Sequence, residues 1–225
     1  MTDLLTGIRV DPAVFALRPD FAVLAVVVDG LPSGPSDEDS AKALAVAAER
    51  AGDDPHVEAW RDAYRAFGAK PNRTRPSVDA LLRRAGSGLP RVNRVVDLYN
   101  AVSVQHRLPV GGEDLDCYVG LPRLVRARGD EPFDTMRNGE PDTEVADAGE
   151  VVWRDDAGVT CRRWNHRQCV RTRLREDSTR GLFLLERLEP MSLDALSAAA
   201  DDLVSRLTAL APDATVARTL IRENA

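Results

Sequence analysis

Phe21-Ala-Val-Leu-Ala-Val-Val-Val28 is a continuous apolar run that stops at Asp29-Gly30-Leu31-Pro32. Eight apolar residues are too few to span a bilayer or to serve as a secretory core with its cleavage site. A run of this length, ended by turn residues, predicts a strand buried on both faces at the centre of a sheet.

The first half of the sequence supplies helices. A weak Ala-rich helix is predicted from about Ala41 to Arg50. In Pro55–Phe67, Val57, Trp60, Tyr64 and Phe67 recur at helical spacing, with Pro55 at the start and Gly68 past the end. Pro76–Ala85 repeats the pattern through Val78, Leu81, Leu82 and Ala85, and Asn93–His106 through Val95, Leu98, Tyr99 and Val102. Beyond Gly112 the texture changes to short apolar pieces between Gly, Pro and Asp: Cys117–Val119, Leu124–Ala127, Val151–Trp153, Val159–Cys161, Val170–Leu174 and Leu182–Leu185. These predict a mostly antiparallel sheet system. Ser192 caps a closing helix with Leu193, Leu196, Leu203 and Leu207 inward. The expected class is α+β, in one domain over residues 1–225.

The chain has 225 residues, a net charge of -6 and 44% hydrophobic residues. Overall acidity argues against indiscriminate nucleic-acid binding. The charge is uneven, however. Lys70–Arg107 holds eight Lys or Arg against Asp79 and Asp97, and Arg154–Arg180 holds eight Arg against four acids. If these segments fold together they form a basic surface for a polyanion. Cys117, Cys161 and Cys169 form no Cys-x-x-Cys pair, and His56, His106 and His166 lack ligand spacing, so neither a disulfide framework nor a metal site is expected. The histidines read as surface or helix-end residues. No phosphate loop, dinucleotide fingerprint, nucleophile elbow or His-Glu-x-x-His is present, and no cofactor is implied. A cytoplasmic location is expected.

Three polar stretches remain. Gly68-Ala-Lys-Pro-Asn-Arg-Thr-Arg-Pro76 offers Arg73 and Arg75 to phosphate oxygens, or is a solvated connector. Asn93, Asp97 and Asn100 form a polar stripe on one helix: a solvated face, or a buried network or ligand contact. Cys161-Arg-Arg-Trp-Asn-His-Arg-Gln168 offers Trp164 for stacking beside Arg162, Arg163 and Arg167, or places Trp164 in the core. Glu150 and Glu186 adjoin apolar runs, and a buried carboxylate needs partners.

Phe67–Arg84, Leu89-Pro-Arg-Val-Asn-Arg-Val-Val-Asp-Leu-Tyr-Asn-Ala-Val-Ser103 and Cys161–Gln168 resemble three signatures of stand-alone proteins of the B-three/four domain family. Thr179-Arg-Gly-Leu-Phe-Leu-Leu-Glu186 is similar to a stretch of the phenylalanyl-tRNA synthetase beta subunit. The likeness runs from about Val10 to Leu207. It implies helices on a layered β-sandwich, an α/β/β arrangement. It also implies hydrolysis of a mischarged aminoacyl-tRNA, with the tRNA 3′ end as partner. In the synthetase a glutamate helps recognise the tyrosine hydroxyl, and by motif it falls on Glu186. Pro109-Val-Gly-Gly-Glu-Asp114 matches a Pro-x-His-x-x-Asp stretch, with Gly111 in place of the pocket histidine. On this resemblance Asn93, Asp97, Asn100 and Glu186 are the expected catalytic set. Gly111, Gly112, Trp164 and Asn165 are expected at the ligand, and Arg73, Arg75, Arg162, Arg163 and Arg167 on the tRNA. The alternative is a module that binds tRNA or an amino-acid-like ligand without chemistry.

Overall fold

The computed structural model describes residues 2–50 and 52–223. In chain order the elements are α1 (Thr2–Gly7), β1 (Arg9–Val10), α2 (Pro12–Leu17), β2 (Ala22–Asp29), α3 (Glu38–Ala48), α4 (Pro55–Ala66), α5 (Ser77–Arg84) and α6 (Arg94–His106). Then come β3 (Val110–Asp114), β4 (Arg123–Arg126), β5 (Pro132–Arg137), β6 (Glu140–Val145), β7 (Val151–Arg154), β8 (Val159–Arg162) and β9 (Arg167–Gln168). The chain closes with β10 (Arg180–Arg187), α7 (Leu193–Leu210) and β11 (Thr215–Arg222).

The apolar run from Phe21 is the strand β2, central in a four-stranded antiparallel sheet ordered β11-β2-β10-β3. Its side chains alternate between two cores, as strand geometry requires. Val23, Ala25 and Val27 join Leu182 and Leu184 of β10 on one face, while Leu24, Val26 and Val28 join Phe183 and Leu185 on the other. The first face packs on a five-stranded sheet ordered β1-β4-β7-β8-β9 through Leu124, Val151, Trp153 and Cys161, closed at one end by Trp60 and Tyr64 of α4. The second face is covered by α6 and α7, through Val95, Leu98, Tyr99 and Val102 of the first and Leu196, Leu203 and Leu207 of the second. Helices, sheet and sheet thus stack in three layers, an α+β fold of the α/β/β kind.

The helices begin where the sequence places caps. Asp37, Asp54, Asn93 and Ser192 each accept a hydrogen bond from a backbone N–H of the first turn. The Ala-rich helix starts earlier than read, at Glu38, because Asp37 and Ser40 form a capping box. Two expected strands are not strands. Cys117–Val119 instead leaves a turn of 3-10 helix, Leu115–Cys117, set by the Asp114 carboxylate accepting from Asp116 N–H. Val170–Leu174 crosses between the sheets, touching β3 through one bridge at Arg173.

Candidate functional site

A cavity of about 210 Å³ opens where α5 and α6 lie over the junction of the two sheets. Its wall includes Tyr99 and Asn100 of α6, Val110, Gly111 and Glu113 of β3, Trp153 of β7, Cys161 of β8, and Leu184 and Glu186 of β10. The segment Trp164–Gln168 and the α5 residues Ser77, Ala80, Leu81 and Arg84 complete it.

The turn between β8 and β9 shapes the site. Arg163 and Trp164 both take left-handed backbone angles, with φ of 48° and 66°. Two successive non-glycine residues in that region carry strain of about 1–3 kcal/mol each. The turn is held by Trp164 N–H donating to Val151 O and His166 N–H to Arg162 O. It drives the Trp164 ring into the core against Phe21 and Trp60 and points Asn165 inward. Asn165 then organises the floor: its Oδ1 accepts from Tyr64 Oη–H at 2.9 Å and Ser77 N–H at 3.2 Å, and its Nδ2–H donates to Glu186 Oε2 at 2.8 Å. Trp153 Nε1–H donates to Glu186 Oε1 at 2.7 Å.

Glu186 is buried among neutral donors, and among the described residues it forms no ion pair. Burial pushes its carboxyl up to about 8, against the hydrogen bonds from Asn165 and Trp153. Glu113 is the second buried carboxyl on the same wall. Burial raises it to about 7, against hydrogen bonds from Tyr118, Thr160 and Thr172. Its partners are likewise neutral. Between the two lies Gly111, paired with Leu184 across the ladder. A Cβ there would meet only Gln168 Nε2, at 3.8 Å, so the missing side chain is open space. Gly112 faces the other way, where a Cβ would meet the Tyr99 ring at 2.7 Å.

Asn100 lines the cavity, is nine-tenths buried and makes no side-chain hydrogen bond to a described residue. His166 also lines it. The ring Nδ1 lies 2.8 Å from Arg75 O, so Nδ1 carries the proton and Nε2 keeps a lone pair. Burial lowers the imidazole below its ordinary value, and Arg163 and Arg167 act in the same direction. Cys161 is no nucleophile here: burial pushes its thiol well above the ordinary value.

The expected set therefore divides. Asn100, Gly111, Trp164, Asn165, Arg167 and Glu186 share the cavity. Asn93 and Asp97 do not line it. Asn93 caps α6 and donates to Leu174 O. Asp97 accepts from Ser36, Ser40 and Val92 N–H, tying α6 to the loop before α3. Of the stripe read from sequence, only the last member, Asn100, reaches the wall.

The arginines divide too. Arg162 is buried and paired with Glu150, its Nη2 at 2.7 Å, so it is a core ion pair rather than a phosphate contact. Arg163 and Arg167 pair with Asp147 and Glu144, and Arg167 also lies over the Phe133 ring. Arg75 pairs with Asp79, which also receives Arg61 and Arg83. The local excess of positive charge is thus neutralised largely by acids that sequence distance conceals. Arg73 and Arg84 are exposed without an acidic partner among the described residues. His56 is a core residue, held by Arg107 O, Trp60 Nε1–H and Leu188 N–H, rather than a surface one.

Sequence reasoning missed Glu113, Trp153, Tyr64 and Arg84, and set His166 aside. Glu113 had a signal, since two residues beyond Gly111 on a strand returns to the same face.

Among solved structures, an N-terminal fragment of the phenylalanyl-tRNA synthetase beta subunit from Pyrococcus horikoshii has a similar fold. The TM-score is 0.50 at 13% sequence identity, over 96% of this chain and 54% of that one. This chain therefore spans about half the length of that fragment. No curated protein matches this chain. Among the described residues no helix is long and apolar enough to cross a membrane. The family model described as the B3/4 domain matches residues 59–203, well over half of the sequence, and the chain belongs to that family.

Proposed function

We propose that this chain hydrolyses the ester of a mischarged aminoacyl-tRNA, acting as an editing-like domain. The observation that carries the reading is the cavity itself. It is small, largely apolar, and lined by a few convergent polar groups, Glu186, Asn165, His166 and Asn100. The aminoacyl group would enter between Leu184, Val110 and Trp153, with Glu186 and Asn165 reading its polar atoms. The Arg73 and Arg84 side chains would meet the phosphates of the tRNA 3′ end.

Chemistry then needs a water held against the ester carbonyl, which requires no covalent nucleophile. His166 is the group placed to accept its proton, because Nε2 has a free lone pair and Nδ1 is held by Arg75 O. The Asn100 amide is free to orient the water or the carbonyl.

A second reading is favoured by a specific feature: Gly111 offers no side chain to the cavity and Cys161 is inert, so the site also suits binding without turnover. Incubating the full chain with a panel of mischarged tRNAs and following loss of the ester separates the two. Ester loss above the spontaneous rate supports hydrolysis. Saturable tRNA binding with no ester loss leaves the binding module.

A further inference from the structure

The four-stranded sheet has two outer strands, and their edges differ. The outer side of β3 is met by the segment that follows β9: Asp114 N–H donates to Thr172 O, and Glu113 bridges Arg173. β11 has no such cover. It pairs with β2 alone, over all eight of its residues and without a bulge. From Val216 to Arg222 its backbone makes no other hydrogen bond to a described residue. Natural sheets blunt an open edge with short length, proline, a bulge or an inward-pointing charge. Thr215-Val-Ala-Arg-Thr-Leu-Ile-Arg222 uses none of these. Ala217 and Ile221 turn to the core that holds Leu5 and Ile8, while Arg218, Leu220 and Arg222 are exposed together on the other face.

We propose that this edge pairs with the β11 edge of a second copy of the chain, antiparallel about a two-fold axis at Thr219, which joins the two four-stranded sheets into one. Directly opposed residues of an antiparallel pair share a face, so a strand that pairs with itself, helix layer beside helix layer, is centred on a residue. Three centres use most of β11. Centred on Arg218, that residue faces its own copy. Centred on Leu220, Arg218 faces the partner's Arg222. Like charges directly opposite are destabilising, which disfavours both. Centred on Thr219, Arg218 faces the partner's Leu220 and Arg222 faces the partner's Val216. Ala217 then faces the partner's Ile221, and the two Thr219 side chains face each other. Leu220, 37% exposed in the single chain, becomes a diagonal neighbour of its own copy across the axis.

The occupant is a second copy because the strand complements itself: in the Thr219-centred register every arginine of β11 meets an apolar side chain, and the outward backbone groups of both strands find partners. Arg218 keeps its own pair with Asp201 of α7. The pairing is independent of the proposed function. The cavity lies on β3 and β10, at the other side of the sheet from β11, so both copies keep it open.

Sedimentation equilibrium of the full chain tests this, with the monomer at 24.6 kDa. The parent should sediment at twice that mass at micromolar concentration. Leu220→Arg sets an arginine opposite the partner's Arg218 on both sides of the axis, and should raise the dissociation constant at least about tenfold. Leu220→Glu sets a carboxylate opposite the same arginine, and should keep the dimer or tighten it, with the gain lost in high salt. Circular dichroism should be the same in all three. Amide hydrogen exchange in the peptide over Thr215–Arg222 should slow as the parent's concentration rises. A parent at 24.6 kDa throughout overturns the proposal. So does a Leu220→Arg protein as dimeric as the parent, or dissociation of the Arg and Glu variants alike.

Discussion

Glu150 and Glu186 look alike in sequence, each beside an apolar strand, and each is almost fully buried. Their surroundings are opposite. Glu150 meets a guanidinium along both oxygens, with Arg162 Nε at 3.0 Å and Nη2 at 2.7 Å, and also accepts from Arg163 N–H. Among the described residues Glu186 meets only neutral donors, and it opens onto a cavity. A buried carboxylate with a matched cation is complete, and its role is to hold β7 and β8 to the turn that follows. One without a cation waits for something else. Burial alone therefore does not identify a functional acid; the charge of its partners does.

The comparison breaks most visibly in stability. Arg162→Ala leaves Glu150 buried without its cation, and we expect a loss of about 3–5 kcal/mol in denaturant unfolding. Glu186→Gln keeps the shape and an acceptor for Trp153 or Asn165, and should change stability by no more than about 1 kcal/mol near neutral pH. A large loss in the second variant and a small one in the first would reverse the assignment of roles.

The pH dependence sharpens it. Glu186 and Glu113 have folded values of about 8 and about 7, above the ordinary 4.5. The folded state then binds more protons than the unfolded one, so these groups stabilise the fold at low pH and that contribution is lost as pH rises from 4.5 through 8. Asp202 behaves oppositely. Burial opposes its ionisation, but His106 and Arg206 bring it down to about 2, so its contribution is present above the ordinary 3.8 and lost as pH falls toward 2. Denaturation midpoints measured across this range should decline on the alkaline side in the parent and decline less in Glu186→Gln.

The smallest stability effects should come from the groups with least to lose. Asn100→Ala removes no hydrogen bond to the described protein and should leave stability within about 0.5 kcal/mol. On the proposed function it should slow ester hydrolysis all the same, as should His166→Gln. Either variant hydrolysing mischarged tRNA at the parental rate would remove that residue from the mechanism.

Much of the fold was legible because burial on two faces leaves a continuous apolar run, as at Phe21–Val28, and burial on one leaves a helical stripe, as in Val95, Leu98, Tyr99 and Val102. The hairpin of β5 and β6 was not read, because its residues are mostly polar and half-exposed; its signal was Asn138-Gly139, both at positive φ in a tight turn. β11 was missed because its apolar residues come in pairs at a sheet edge rather than alternating. In the site, the residues within one stretch, Trp164 to Arg167, were visible together. What stayed hidden was pairing over distance: Arg162 with Glu150, Asp97 with Ser36 and Ser40, and β3 with β10, which puts Glu113 and Glu186 on the wall of one cavity.

The central claim is that Glu186 is a carboxyl held without a cation in a ligand cavity. Carbon-13 NMR titration of the glutamate side-chain carboxyls, with Glu186→Gln to assign the signal, measures this directly. A Glu186 resonance that titrates near pH 8 is the result expected. A midpoint in the ordinary range near 4.5 would contradict the account.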